Sequence, residues 1–227
     1  MTGNRAESRR IMSKIITFLI FCIFSVGIHA ACARDDEKET AEERIRISGA
    51  WALYPMMVKW AEEYKKIHPR VRIDISAGGA GKGVADALSG LVDIGMVSRD
   101  LRLEEVKQGV LGIPVVKDAV FPTVNAENPV LQKLAQKGLR KSDFVALWLA
   151  GGNRTWGELT GTDSNRKVRV YTRSDSCGAA ETWAKYLGVH QEDLKGIAVY
   201  GDPGVAEAIR KDKDGIGYNN LNYAYDM

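Results

Sequence analysis

From Ile45 onward the chain keeps switching its hydrophobic period, and that switching limits the folds open to it. Ile45 and Ile47 alternate with Arg44, Arg46 and Ser48, the period-two pattern of a half-buried strand. Pro55 then opens a run with Met57, Trp60, Ala61, Tyr64 and Ile67 at helical spacing, which His68-Pro69 stops. Val71, Ile73 and Ile75 alternate again with charged and polar neighbours. Strand, helix and strand of these lengths predict a βαβ unit with a right-handed parallel crossover. On this pattern Trp60 and Tyr64 are expected to pack against the sheet.

The alternation continues to the end of the chain. A glycine-rich loop, Ala77 to Gly83, leads into a helix carrying Val84, Ala87 and Leu88. Val92 to Val97 reads as a strand and Leu101 to Gln108 as a short charged helix. Ile113 to Asn125 reads as one or two strands broken by Pro114 and Pro122, where the chain is expected to pass between lobes. Helices are expected around 130–136, 142–149, 179–187 and 203–210, and strands at 168–172, 197–200 and from Gly215. The class is α/β, arranged as two lobes.

Three loops share one grammar of strand, small residues and helix start. They are Ser48 to Leu53, Ala77 to Gly83, and Arg173 to Ala179. Ligands of open α/β sheets bind at the carboxyl ends of strands, where such loops gather. Helix N-termini supply unpaired N–H groups and a positive dipole end, so three of them together favour anion binding. Arg173 can add a two-pronged contact to an oxyanion. A nucleotide reading fails: Ser76 stands where a P-loop needs its first Gly, and Gly83 replaces the Ser/Thr after Lys82.

The first 33 residues read as an export signal. Arg9, Arg10 and Lys14 precede the apolar run Ile15 to Ile28, which is short for a membrane span, and small residues follow. Two cleavages fit. Ala31-Cys32-Ala33 suits an ordinary signal peptidase, while Ala30-Ala31-Cys32 resembles a lipoprotein box that would acylate Cys32. Residues 34–44 form a polar linker, suited to a tether. Removing 1–33 takes four of 32 basic and one of 29 acidic groups, leaving 28 against 28. A neutral chain has no sequence-wide attraction to nucleic acid or an anionic membrane. Cys177 is then the one cysteine outside the leader and its cleavage site, so no internal disulfide is expected, and no His/Cys/acid cluster has metal-ligand spacing.

At these loops the chain resembles the periplasmic phosphate-binding proteins of bacterial ABC importers. The likeness rests on Ile47-Ser48-Gly49 with Tyr54-Pro55 and Trp60-Ala61; Gly78 to Val84; Asp93 to Leu101; Leu149 to Gly152 with Trp156 to Leu159; Arg173 to Gly178; and Gly215 to Tyr218. It implies a type II periplasmic-binding fold, with lobe 1 over 45–120 and lobe 2 over 121–227. It implies an oxyanion such as phosphate between the lobes, closure by hinge motion, an ABC permease as partner, no cofactor and no catalysis. The ligand contacts it implies are Ala50, Trp51, Ala80, Gly81, Ser98, Arg99, Arg173, Cys177 and Gly178. The export signal predicts a periplasmic or cell-surface location, and cleavage at the lipoprotein box would add membrane contact through a lipid on Cys32.

Several positions depart from the family pattern. Ala50, Trp51, Ala52 and Leu53 stand where its first loop presents hydroxyls, Ala80 lies near an expected Ser, and Cys177-Gly178-Ala179 replaces a Ser-Gly-Thr. Lys82, Arg99 and Trp51 are the candidates to compensate. The departures open an alternative, an interaction or sensor protein on the same fold with another ligand. An enzyme built on Cys177 lacks a base to activate the thiol. Family members also continue past the Gly-Tyr strand and return to lobe 1, so a return segment after 227 is expected to be missing.

Overall fold

The computed structural model describes residues 43–151 and 153–224. The leader, Cys32, most of the linker, Gly152 and the last three residues lie outside them.

The first sheet forms as the alternation predicts. Strand β1 (Arg44–Gly49) pairs in parallel with β2 (Arg72–Ala77), Ile45 opposite Ile73 and Ile47 opposite Ile75. It pairs on its other side with β3 (Ile94–Met96), giving the order β2–β1–β3. A 3-10 turn (Trp51–Leu53) and helix α1 (Tyr54–Ile67) connect β1 to β2, and α2 (Ala80–Leu88) connects β2 to β3. Glycine sets how closely α2 lies on the sheet. A Cβ on Gly83 would fall 2.5 Å from the Met96 carbonyl oxygen, and one on Gly49, at φ +131°, would fall 2.9 Å from Gly83 Cα. Part of the glycine loop therefore serves backbone-to-backbone packing rather than a ligand.

Trp60 and Tyr64 do not join a core. They are 41% and 42% exposed, and no residue of α1 is fully buried. The helix packs through its first turn, Tyr54, Met56 and Met57, onto a small cluster of Ile47, Ala50, Leu53, Ala80 and Met96. Three short strands cannot cover a fourteen-residue helix, so its second half runs past them and the Tyr64 ring stacks on His68 instead.

After the short helix α3 (Leu103–Lys107), residues 108–119 have no regular structure, where one or two strands were expected from 113. Strand β4 (Val120–Val124) contains Pro122 and lies at the edge of a second sheet, ordered β4–β7–β5–β6, where a missing N–H is tolerated. Strands β5 (Arg169–Arg173), β6 (Ile197–Val199) and β7 (Gly215–Asn220) are parallel, while β4 runs antiparallel to β7. Helices α4 (Leu131–Lys137), α5 (Lys141–Trp148), α6 (Trp156–Thr160), α7 (Gly178–Leu187), α8 (Gly201–Lys211) and α9 (Leu221–Ala224) complete this lobe. Helix α6, only five residues long, is started by a capping box in which Glu158 N donates to Thr155 Oγ1 and Thr155 N donates to Glu158 Oε2.

The second lobe holds most of the buried apolar mass. Trp148, Trp156 and Tyr218 are fully buried, Trp183 crosses Trp148 edge-on at 5.2 Å and stacks on Tyr218 at 5.6 Å. The indole N–H of Trp148 donates to the Tyr171 carbonyl at 3.1 Å and that of Trp156 to the Asp214 carbonyl at 3.3 Å. Trp148→Ala should therefore cost about 3–5 kcal/mol in chemical denaturation. The same change at Trp60, which the sequence reading also placed in a core, should cost about 1 kcal/mol.

Candidate functional site

The loops singled out in the sequence meet along the seam between the lobes. The N-terminus of α2 faces the Arg173–Gly178 loop: a Cβ on Gly79 would lie 2.7 Å from the Ser176 carbonyl oxygen, and one on Gly81 3.2 Å from Ser176 Oγ. The N-terminus of α7 faces the other way, with Gly178 so close to Ser98 that a Cβ there would collide with that residue's oxygens. One helix start from each lobe thus points into the seam. The first N–H groups of each, at Ala80 and Gly81 and at Gly178 and Ala179, have no intrahelical partner.

Arg173, at the end of β5 before the loop that leads to α7, has its side chain wholly buried. Its Nε and Nη2 donate to Asp175 at 2.8 and 2.6 Å, and Nη1 donates to Asp202 Oδ2 at 2.6 Å. A guanidinium carries five N–H bonds, so two remain, one on each terminal nitrogen. Burial opposes the Arg173 charge, yet Asp175 and Asp202 outweigh it and raise its pKa. Burial also lifts the Asp202 carboxyl above its ordinary value, partly offset by Arg173.

Asp202 and Gln191 were not singled out from the sequence. Asp202 shows itself only as an acid in the first turn of a helix. Gln191 fastens the loop from outside: its Nε2 donates to the Asp175 carbonyl at 2.9 Å and its Oε1 accepts from Cys177 N at 3.2 Å.

The remaining expected contacts divide. Trp51 reaches the second lobe, its indole lying 3.1 Å from where a Gly201 Cβ would stand and edge-on to Tyr200. Its Nε1 is buried without a hydrogen-bond partner among the described residues. The Ala50 N–H is spent on the Met96 carbonyl at 2.8 Å. Lys82 pairs with Asp86, which also accepts from Ser48 Oγ at 2.6 Å. Arg99 gives its terminal nitrogens to Glu105 and to the Asp100 carbonyl. Both arginine and lysine, expected to make up for lost hydroxyls, are thus matched by acids of the chain itself.

Cys177 caps α7, its Sγ accepting from Ala180 N at 3.4 Å. Burial pushes its thiol up to about 12 despite the nearby Arg173, so it stays protonated and unsuited to nucleophilic attack. Among the described residues, no group of three or more His, Cys, Asp or Glu is placed to hold a metal ion, and no helix is long and apolar enough to cross a membrane.

A family model described as a PBP superfamily domain matches residues 35–227. The chain belongs to the PBP superfamily. Within it the chain is similar to the phosphate-binding protein PstS of Bacillus subtilis, 29% identical over 94% of this chain and 72% of that one. It is 27% identical to the PstS of Pseudomonas aeruginosa, over 93% of this chain and 71% of that one. Among solved structures, a putative phosphate ABC transporter substrate-binding protein with bound phosphate from Clostridium perfringens aligns at a TM-score of 0.72 and 25% identity. That match covers 81% of this chain and 72% of that one. The two-lobed type II fold and the family read from the loop motifs are those found. Proteins of this kind are extracytoplasmic solute-binding components of ABC importers.

Arg99 hydrogen bonds hold Glu105 at about 2, against an ordinary 4.5. A carboxylate depressed on folding stabilises the folded state above its unfolded pKa, and that contribution fades as acid protonates it. The chain should lose stability progressively from about pH 4.5 down toward 2. Glu105→Gln should flatten that limb in urea denaturation measured across the range.

Proposed function

We propose that the chain captures phosphate, or a tetrahedral oxyanion like it, between its lobes and hands it to an ABC permease. The observation that carries this reading is the pair of opposed helix N-termini, with Arg173 buried in the loop that leads to one of them. Ala80, Gly81, Gly178 and Ala179 offer backbone N–H groups, Arg173 keeps two N–H bonds in reserve, and Trp51 Nε1 is a further unpartnered donor. Backbone donors at helix starts need no hydroxyl, which lets Ala80 and Ala179 serve there. Ser98 and Cys177 shape the walls. Similarity to phosphate-binding proteins, and to the Clostridium perfringens protein with bound phosphate, supports the choice of ligand.

A thermal melt of the full chain with phosphate, sulfate, arsenate, molybdate and tungstate tests it. Phosphate at about a hundred times its dissociation constant should stabilise by roughly 2.7 kcal/mol, a shift of several degrees. A cooperative melt indifferent to all five overturns oxyanion capture and leaves the sensor or interaction reading on the same fold.

The same proposal includes an anchor, an acyl group on Cys32 with the polar linker as tether. Cys32→Ala should move the chain from the membrane fraction to the soluble one. An unchanged distribution would remove the anchor without touching the ligand reading.

A further inference from the structure

Arg99 has charged partners on both lobes. Its side chain is only 3% exposed. On its own lobe, Glu105 accepts from Nη1 and Nη2 at 2.9 and 2.6 Å. Across the seam, Nε stands 3.3 Å from Glu181 Oε2, close enough to pair in charge though not aligned as a hydrogen bond. Arg102 Nη2 comes within 3.9 Å of the same oxygen. One turn further along α7, Lys185 Nζ stands 3.9 Å from Asp100 Oδ2. Charges of opposite sign therefore face each other between residues 99–102 of lobe 1 and one face of α7 in lobe 2, beside the Ser98–Gly178 contact.

We propose that Glu181 is a positioning residue for closure of the cleft: by pairing with Arg99 and Arg102 it draws the N-terminus of α7 against the Ser98 loop, without itself holding the ligand. Glu105 prepares the contact. By fixing the guanidinium of Arg99 on lobe 1, it leaves Nε aimed across the seam, so little side-chain freedom is lost when the lobes meet. Glu181 is 40% exposed, which keeps the pairing weak. A cleft that must release its ligand needs a bias of that size and not a lock. Opening returns Arg99 and Glu181 to water, which offsets most of the lost attraction.

Amide hydrogen exchange on the full chain without any ligand reads this, and the result stands apart from the phosphate reading. Exchange at 98–102 and 178–184 should quicken about two- to fivefold in the wild type when salt rises from about 0.05 to about 0.5 M. Glu181→Gln should already exchange at the faster level in low salt and lose the salt response. Glu181→Asp should restore part of it. Exchange around Leu147 and Trp148 in the lobe 2 core should not change, as it would if the substitution merely loosened the lobe. Arg102→Gln, at a half-exposed position, should shift exchange the same way to a smaller degree and carries the test if Glu181→Gln melts without cooperativity. Wild-type exchange and wild-type salt response in these variants would overturn the proposal.

Discussion

The buried ion cluster of Arg173, Asp175 and Asp202 is the constraint on which the rest of the seam depends. A charge withdrawn from water is tolerated only when it is paired and its hydrogen-bonding groups are satisfied. Two separate pieces of chain meet that demand together. Arg173 ends β5, Asp175 lies in the loop that follows, and Asp202 opens α8. Asp175 Oδ1 also accepts from Gly201 N at 3.1 Å, and Asp202 accepts from Asn219 and Asn220 at the end of β7. Removing one member would strand the others, at about 3–5 kcal/mol. The cluster thereby fixes where α7 and α8 begin, and the helix starts are where the donors are.

Around that cluster the two lobes are unequally built. The second carries its own core of tryptophans and Tyr218, dense enough to hold the Arg173 loop in one arrangement. The first rests on a small cluster of Ile47, Ala50, Leu53, Ala80 and Met96 and on glycine contacts that bring α2 down onto β1 and β3. Lobe 1 is nonetheless tied to its neighbour through backbone carbonyls: Tyr223 Oη donates to the Trp51 carbonyl at 3.1 Å and Asn222 Nδ2 to the Ala52 carbonyl at 3.2 Å. A well-packed lobe with a preset arginine, facing a thinner one that brings backbone N–H groups, suits a site assembled by closure.

Much of the fold was legible in the residue pattern, and the misses have definite causes. The strands and helices around Ile47, Ile75, Val84, Val170 and Val205 follow from period alone, because each needs one face buried locally. Trp60 and Tyr64 have perfect helical spacing, yet spacing says only that they share a face and not that a sheet extends far enough to cover it. Residues 108–119 have strand-like composition without a ladder partner, and pairing is a property of two segments.

What the sequence by itself determined is the order of strand, loop and helix, and with it that several helix starts would gather at one end of the sheets. Glycine and alanine at those starts allow close approach, and that too is written locally. Which charges remain for a ligand was decided only by the tertiary structure. Arg99, Lys82 and Arg173 look equally available in the chain, but a cation takes the nearest carboxylate in space. Asp86 pairs with Lys82 and Glu105 holds the terminal nitrogens of Arg99, whereas Asp202, 29 residues from Arg173, joins Asp175 in fixing the Arg173 guanidinium in the loop that leads to α7. Electrostatic pairing acts over a few ångströms whatever the sequence separation, so the division of donors between scaffold and site appears only once the lobes are folded.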